Sequence, residues 1–171
     1  MEAHDLRELQ RPLKDGYRDD PESAVIPARA VGRVHLADLT CHVDTKHAQL
    51  VAGLHPAAGG DGDDACSADL LLEALVACAG VTLAAVATAM SIPIRSAEIV
   101  ATGHWDARGT LGVDREAPVG MTDITLHVDL DSDADDATLD RLVALTERYC
   151  VIAQTLADPP DIGFVRGPAA A

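Results

Sequence analysis

The feature that most constrains this chain is the run from Ala68 to Met90, which is apolar around nearly its whole circumference when wound as a helix. A helix of that kind has no face to offer water, so the rest of the fold has to be arranged around it. Ser67 stands where an N-cap belongs, Asp69 follows in the first turn where a negative charge suits the helix dipole, and Ile92-Pro93 stops the run. A membrane span is the competing reading of Ala74 to Met90. The stretch is rich in Ala, Gly and Thr rather than Leu and Ile, with Asp61, Asp63, Asp64 and Asp69 before it and Ser91, Pro93 and Arg95 after it. We read it as the buried central helix of a soluble domain.

The remaining segments supply what such a helix needs. Residues 1–23 are highly charged, with Leu6, Leu9, Leu13 and Tyr17 on one helical face. Pro12 and Gly16 interrupt that pattern, so a brief helical extension is expected, linked by Asp19-Asp20-Pro21 to a single domain over 24–171. Short β-prone runs follow at Val25-Ile26, Val31 to Leu36 and Leu39 to Val43, then a loop from Gly53 to Asp64. Beyond the helix, Ala97 to Trp105 reads as a strand and Asp106 to Gly120 as a loop. Ile124, Leu126, Val128 and Leu130 alternate with Asp123, Thr125, His127 and Asp129, the pattern of a strand with one wet face, in an antiparallel sheet. Helical spacing from Leu139 through Thr146, Tyr149 and Cys150 predicts a second helix reaching Leu156, closed by Asp158-Pro159-Pro160. A final strand is expected over Ile162 to Val165, before a frayed Ala-rich tail. The order is that of an α+β fold with antiparallel sheet.

Charge and motifs exclude several functions. With 13 basic against 28 acidic residues the net charge is −15, and only four aromatic residues are present, so neither nucleic acid nor an anionic membrane surface is an expected partner. The sequence contains no phosphate-binding loop, dinucleotide turn, zinc-protease helix or nucleophile elbow. There is no C-x-x-C pair, and His42, His47, His104 and His127 sit singly in β-rich stretches, so no metal site is expected. Glu2, Asp5 and Glu8 occupy the place of the basic start of a secretory signal. Four cysteines, Cys41, Cys66, Cys78 and Cys150, in such a chain suggest free thiols in a reducing cytoplasm.

Two of those thiols invite a chemical reading. Cys78 lies about three turns into the central helix, where a thiol can serve simply as a small core residue. Burial raises a thiol pKa, and mid-helix placement denies it the N-terminal dipole, so a reactive Cys78 needs a cation from elsewhere. Cys150 belongs to the apolar stripe of the second helix, which can bring it against Cys78 as a second core residue or as a resolving thiol. Cys66, close to the helix start, is a further candidate resolving or sensing thiol.

Taken together, Gly59-Gly60, the run Leu70-Leu71-Leu72-Glu73-Ala74-Leu75-Val76-Ala77-Cys78-Ala79-Gly80-Val81-Thr82-Leu83 and the late Arg148-Tyr149-Cys150-Val151-Ile152-Ala153-Gln154-Thr155-Leu156 resemble the osmotically inducible protein C (OsmC) and organic hydroperoxide resistance (Ohr) family. The resemblance runs from about Ala24 to Val165. It implies antiparallel sheets wrapped around a long central helix, an intertwined homodimer with active sites at the subunit interface, and a thiol peroxidase acting on apolar organic hydroperoxides. Cys78 would be the peroxidatic cysteine, Cys150 the resolving one, and Arg33, with Arg29 second, the arginine that holds thiolate and peroxide. It implies no bound cofactor but an external dithiol reductant, in some members a lipoyl group on a carrier protein. The sequence departs from the family pattern at Ala68, where the peroxidases carry a glutamate and where Asp69 is adjacent, and at Val151, where a proline is frequent. Two other readings follow from the same residues: an apolar groove that binds a small hydrophobic ligand without turnover, and a thiol redox sensor acting through a partner.

Overall fold

The computed structural model describes residues 1–46 and 48–167. His47 and the end of the Ala-rich tail lie outside the described residues. Helix α1 spans Ala3–Asp19 and runs unbroken through Pro12 and Gly16, where a shorter, interrupted helix was expected. Pro12 leaves the Glu8 carbonyl without its intrahelical donor, but α1 buries no residue, so water can satisfy that oxygen. Val25-Ile26 forms no strand; the chain is extended and exposed there.

Strands β1 (Val31–His35), β2 (Thr40–Asp44) and β3 (Gln49–Gly53) make an antiparallel meander, and β4 (Ala65–Cys66) adds to β3 in parallel. The sequence patterns anticipated β1 and β2 but not β3 or β4. Between β3 and β4 the chain turns on Gly59-Gly60. Gly59 takes φ +95°, and a Cβ at Gly60 would stand 1.7 Å from the Leu54 carbonyl oxygen, so only glycine fits.

Strand β4 feeds directly into α2 (Ser67–Met90), so the N-cap is Cys66 rather than Ser67 and carries no side-chain cap. Helix α2 is long and apolar enough, by length and composition, to cross a membrane. Here it forms the spine of the fold. Leu75, Ala79, Leu83 and Ala87, spaced by four, form its one fully buried stripe, while Val81 remains 74% exposed. Burial on nearly every side is therefore not achieved within one chain.

Strands β5 (Ile94–His104) and β6 (Thr122–Ser132) form a separate antiparallel pair, joined by a loop that carries the short helix α3 (Ala107–Thr110). The alternation read along β6 holds: Ile124, Leu126, Val128 and Leu130 turn inward, and Asp123, Thr125, His127 and Asp129 face water. The expected second helix is two helices, α4 (Asp136–Tyr149) and α5 (Val151–Ala157), separated by Cys150 in extended conformation at φ −75°, ψ 108°. Residues 162–165 form no strand and pair with none of the described strands, and Phe164 is 98% exposed.

The core has two parts along α2. Leu75 and Ala79 meet Cys150, with Ile99, Ala101, Ile124, Leu126, Ile152, Ala153 and Leu156 packed around them. One turn further on, Leu83 and Ala87 meet Leu142 of α4. Helix α2 is thus sandwiched between the β5–β6 pair and the α4–α5 pair, giving a mixed α+β architecture.

Candidate active site

The break at Cys150 organises the site. Ending α4 at Tyr149 and restarting the helix at Val151 leaves the first N–H groups of α5 without intrahelical partners. The Ala153 N–H donates to Cys150 Sγ at 3.5 Å, and the backbone N–H groups of Ile152 and Val151 lie where they favour the Cys78 thiolate. The corner is held by the Cys150 N–H on Thr146 O at 2.9 Å and by Gln154, whose Nε2 donates to the Glu147 carbonyl at 3.0 Å across the break. All four cysteines are free thiols.

Cys78 packs against the core cluster that contains Cys150, and the two environments shift the thiols in opposite directions. Burial raises the Cys78 thiol, but the Ile152 N–H, the Cys150 thiol, the Val151 N–H and the Thr82 hydroxyl all favour its thiolate and outweigh burial, leaving it below the ordinary cysteine value. Cys150, 1% exposed, is raised by burial first, with the Ala153 N–H acting against it and the neighbouring Cys78 adding to it. Of the two, Cys78 is the thiol that ionises more readily and Cys150 the one that burial holds protonated.

Alkylation checks this order. With iodoacetamide, Cys78 is expected to react at a pH below that of a free cysteine, and Cys150 only above it. Peptide mapping of the carbamidomethyl groups across a pH series reads both profiles, and equal profiles would contradict the assignment.

The other candidate residues lie elsewhere. Arg33 on β1 stands across from His42 and pairs with the Asp44 carboxylate, which it holds below the usual carboxylate range. The elements packed on α2 are chiefly α1, α4, α5, β4 and β5, so Arg33 of the same chain is not among the groups that act on Cys78. Arg29 is in the exposed extended segment before β1. Asp69 is exposed in the first turn of α2, about 13 Å along the helix axis from Cys78. Cys41 on β2 and Cys66 at the start of α2 are half-buried and apart from the pair. Among the described residues no three His, Cys, Asp or Glu side chains converge as a metal site would require.

Sequence reasoning missed the donors. It sought a cation for Cys78, whereas within one chain the groups that lower the thiol are two backbone N–H groups, the Cys150 thiol and the Thr82 hydroxyl. Thr82 was legible, since it lies four residues after Cys78 on the same helical face.

Comparison with known proteins identifies the family and the fold. A family model described as OsmC-like protein matches residues 60–164. No curated protein matches the chain. Among solved structures, the chain is similar to an OsmC-like protein from Mycoplasma pneumoniae, with TM-score 0.64, 19% identity, and 78% of this chain and 89% of that one covered. It is also similar to an organic hydroperoxide resistance protein from Legionella pneumophila, with TM-score 0.63, 15% identity, and 78% and 93% covered. The organic hydroperoxide resistance protein OhrB of Bacillus subtilis matches with TM-score 0.54, 21% identity, and 78% and 93% covered. At these identities the structural matches establish the fold.

Proposed function

The chain belongs to the OsmC-like protein family, and from that premise we propose that it is a cysteine-based peroxidase that reduces organic hydroperoxides. The observation that supports the reading is the pair of thiols packed together in the core, with Cys78 lowered below and Cys150 raised above the ordinary cysteine value. The Cys78 thiolate attacks the terminal oxygen of ROOH and the O–O bond breaks. The alcohol ROH leaves after taking a proton, and Cys78 becomes a sulfenic acid. Cys150 then attacks the Cys78 sulfur, water leaves, and a disulfide forms. An external dithiol returns both residues to thiols and is itself oxidised to a disulfide. Two solved relatives are named organic hydroperoxide resistance proteins, which supports the choice of substrate class.

A second copy of the chain completes this reading. The accessible surface is 12854 Å², against roughly 8000 Å² for a closed monomer of 17.8 kDa. The excess, and the exposed Val81, Val34, Leu36 and Phe164, are what a large homodimer interface would cover. In such a dimer Arg33 of the second copy is the cation that would meet the peroxide at Cys78, while within its own chain it is occupied by Asp44.

The test is the loss of cumene hydroperoxide under a dithiol reductant. Consumption in proportion to protein, dependent on the dithiol after the first turnover, is expected. Unconsumed hydroperoxide with freshly reduced protein would remove the enzyme reading and favour ligand binding without turnover.

A further inference from the structure

We propose that Gln154 is a positioning residue for Cys78: its carboxamide bridges the break at Cys150, takes the Glu147 carbonyl and so leaves the Val151 N–H free for the neighbouring thiol. This deepens the peroxidase reading above, on which its functional meaning rests.

In an unbroken helix each N–H donates to the carbonyl four residues back. The ladder of α4 keeps that register as far as Cys150, whose N–H reaches the Thr146 carbonyl at 2.9 Å. The next rung would join the Val151 N–H to the Glu147 carbonyl. Cys150, at φ −75°, ψ 108°, turns the chain out of the helix before that rung forms. Helix α5 then starts its own ladder with the Gln154 N–H on the Cys150 carbonyl at 3.0 Å. The Glu147 carbonyl is thereby left without its helical donor. The donor that takes it is the Gln154 side chain, with Nε2 at 3.0 Å, reaching seven residues back.

This exchange of donors matters because of where the freed N–H lies. Helix α5 packs on α2, and Ile152 and Ala153 of its first turn pack on the same core cluster as Cys78. The Val151 and Ile152 N–H groups lie there where they favour an anionic sulfur. Glu147 and Gln154 are both exposed, so water competes for their hydrogen bond and its own contribution to stability is small. Its effect is in what it prevents. With the Glu147 carbonyl vacant, the nearest helical donor is the Val151 N–H, and closing that rung continues α4 through Cys150 and withdraws the donor from Cys78. The spacing of apolar residues from Leu139 to Leu156 is helical across the break and would accept that continuation. Of the groups that act most on Cys78 only Cys150 is titratable, so a shifted ionisation at this site belongs to the thiol pair.

The experiment compares, in the full chain, Gln154→Met, which keeps the length and loses the donor, with Gln154→Lys, which keeps a donor of similar reach. Iodoacetamide alkylation of Cys78, followed across a pH series by peptide mapping, reads the site without hydroperoxide. In Gln154→Met the Cys78 profile is expected to move to higher pH, with the rate on its rising limb reduced on the order of three- to tenfold. In Gln154→Lys it is expected to return to that of the parent protein, and to stay there in about 0.5 M salt, where the effect of an exposed charge is screened. A Gln154→Met profile that coincides with the parent overturns the proposal, and so does a rescue by lysine that salt abolishes. A merely structural role would lower the urea midpoint of unfolding and leave the Cys78 profile of the folded protein in place, which also overturns it. Cumene hydroperoxide consumption by the parent protein separates the two readings. A shifted profile in a protein that consumes none removes the peroxidase reading and leaves Gln154 as the residue that positions the thiol pair; consumption with an unshifted profile removes this assignment alone.

Discussion

Cys78→Ser is expected to lower hydroperoxide consumption by on the order of a thousandfold or more, because a serine hydroxyl at neutral pH offers almost none of the anion that attacks the peroxide. Cys150→Ser is expected to behave differently. It leaves Cys78 with a hydroxyl donor in place of the Cys150 thiol, so the first turnover proceeds and a sulfenic acid accumulates on Cys78 without a partner to condense with. Cys150→Ala removes that donor as well, and its Cys78 alkylation profile is expected to move to higher pH than in Cys150→Ser. Stopped-flow consumption of one equivalent of cumene hydroperoxide separates the three variants. Full activity in Cys78→Ser would contradict the assignment of the nucleophile.

Leu142→Ala is expected to destabilise the protein by about 2–5 kcal/mol. Leu142 is fully buried where α4 crosses α2, packed against Leu83 and Ala87, so removing its isobutyl group takes away core contacts. The residue is two turns of α4 from Cys150, so the order of the thiol alkylation profiles is expected to persist in whatever fraction is folded. Urea unfolding at matched protein concentration measures the loss, and a change below about 1 kcal/mol would mean that the α2–α4 contact is not a core contact.

These expectations depend on different kinds of sequence legibility. Helix α2 was readable because a run apolar on every face has few structural options, and β6 because strict alternation from Asp123 to Leu130 fits a half-buried strand. The two cysteines were readable as a pair only through resemblance, since 71 residues separate them and contact across two helices leaves no periodic trace. The break at Cys150 was not read, because Leu139 to Leu156 keeps helical spacing on both sides of it. A hint was present in the family's frequent proline at the position of Val151, since proline favours the first residue of a helix. The strand expected at Ile162 to Val165 failed for another reason: strand propensity is realised only where a neighbouring edge supplies hydrogen bonds, and among the described residues none pairs with this segment.

The most direct test of the account is intact and peptide mass spectrometry after the reduced protein meets one equivalent of cumene hydroperoxide. The account predicts rapid loss of two hydrogens, a Cys78–Cys150 cross-linked peptide, its reversal by dithiol and its absence in Cys78→Ser. A Cys78 that remains a thiol while the hydroperoxide persists, or a disulfide formed instead through Cys66 or Cys41, would contradict it.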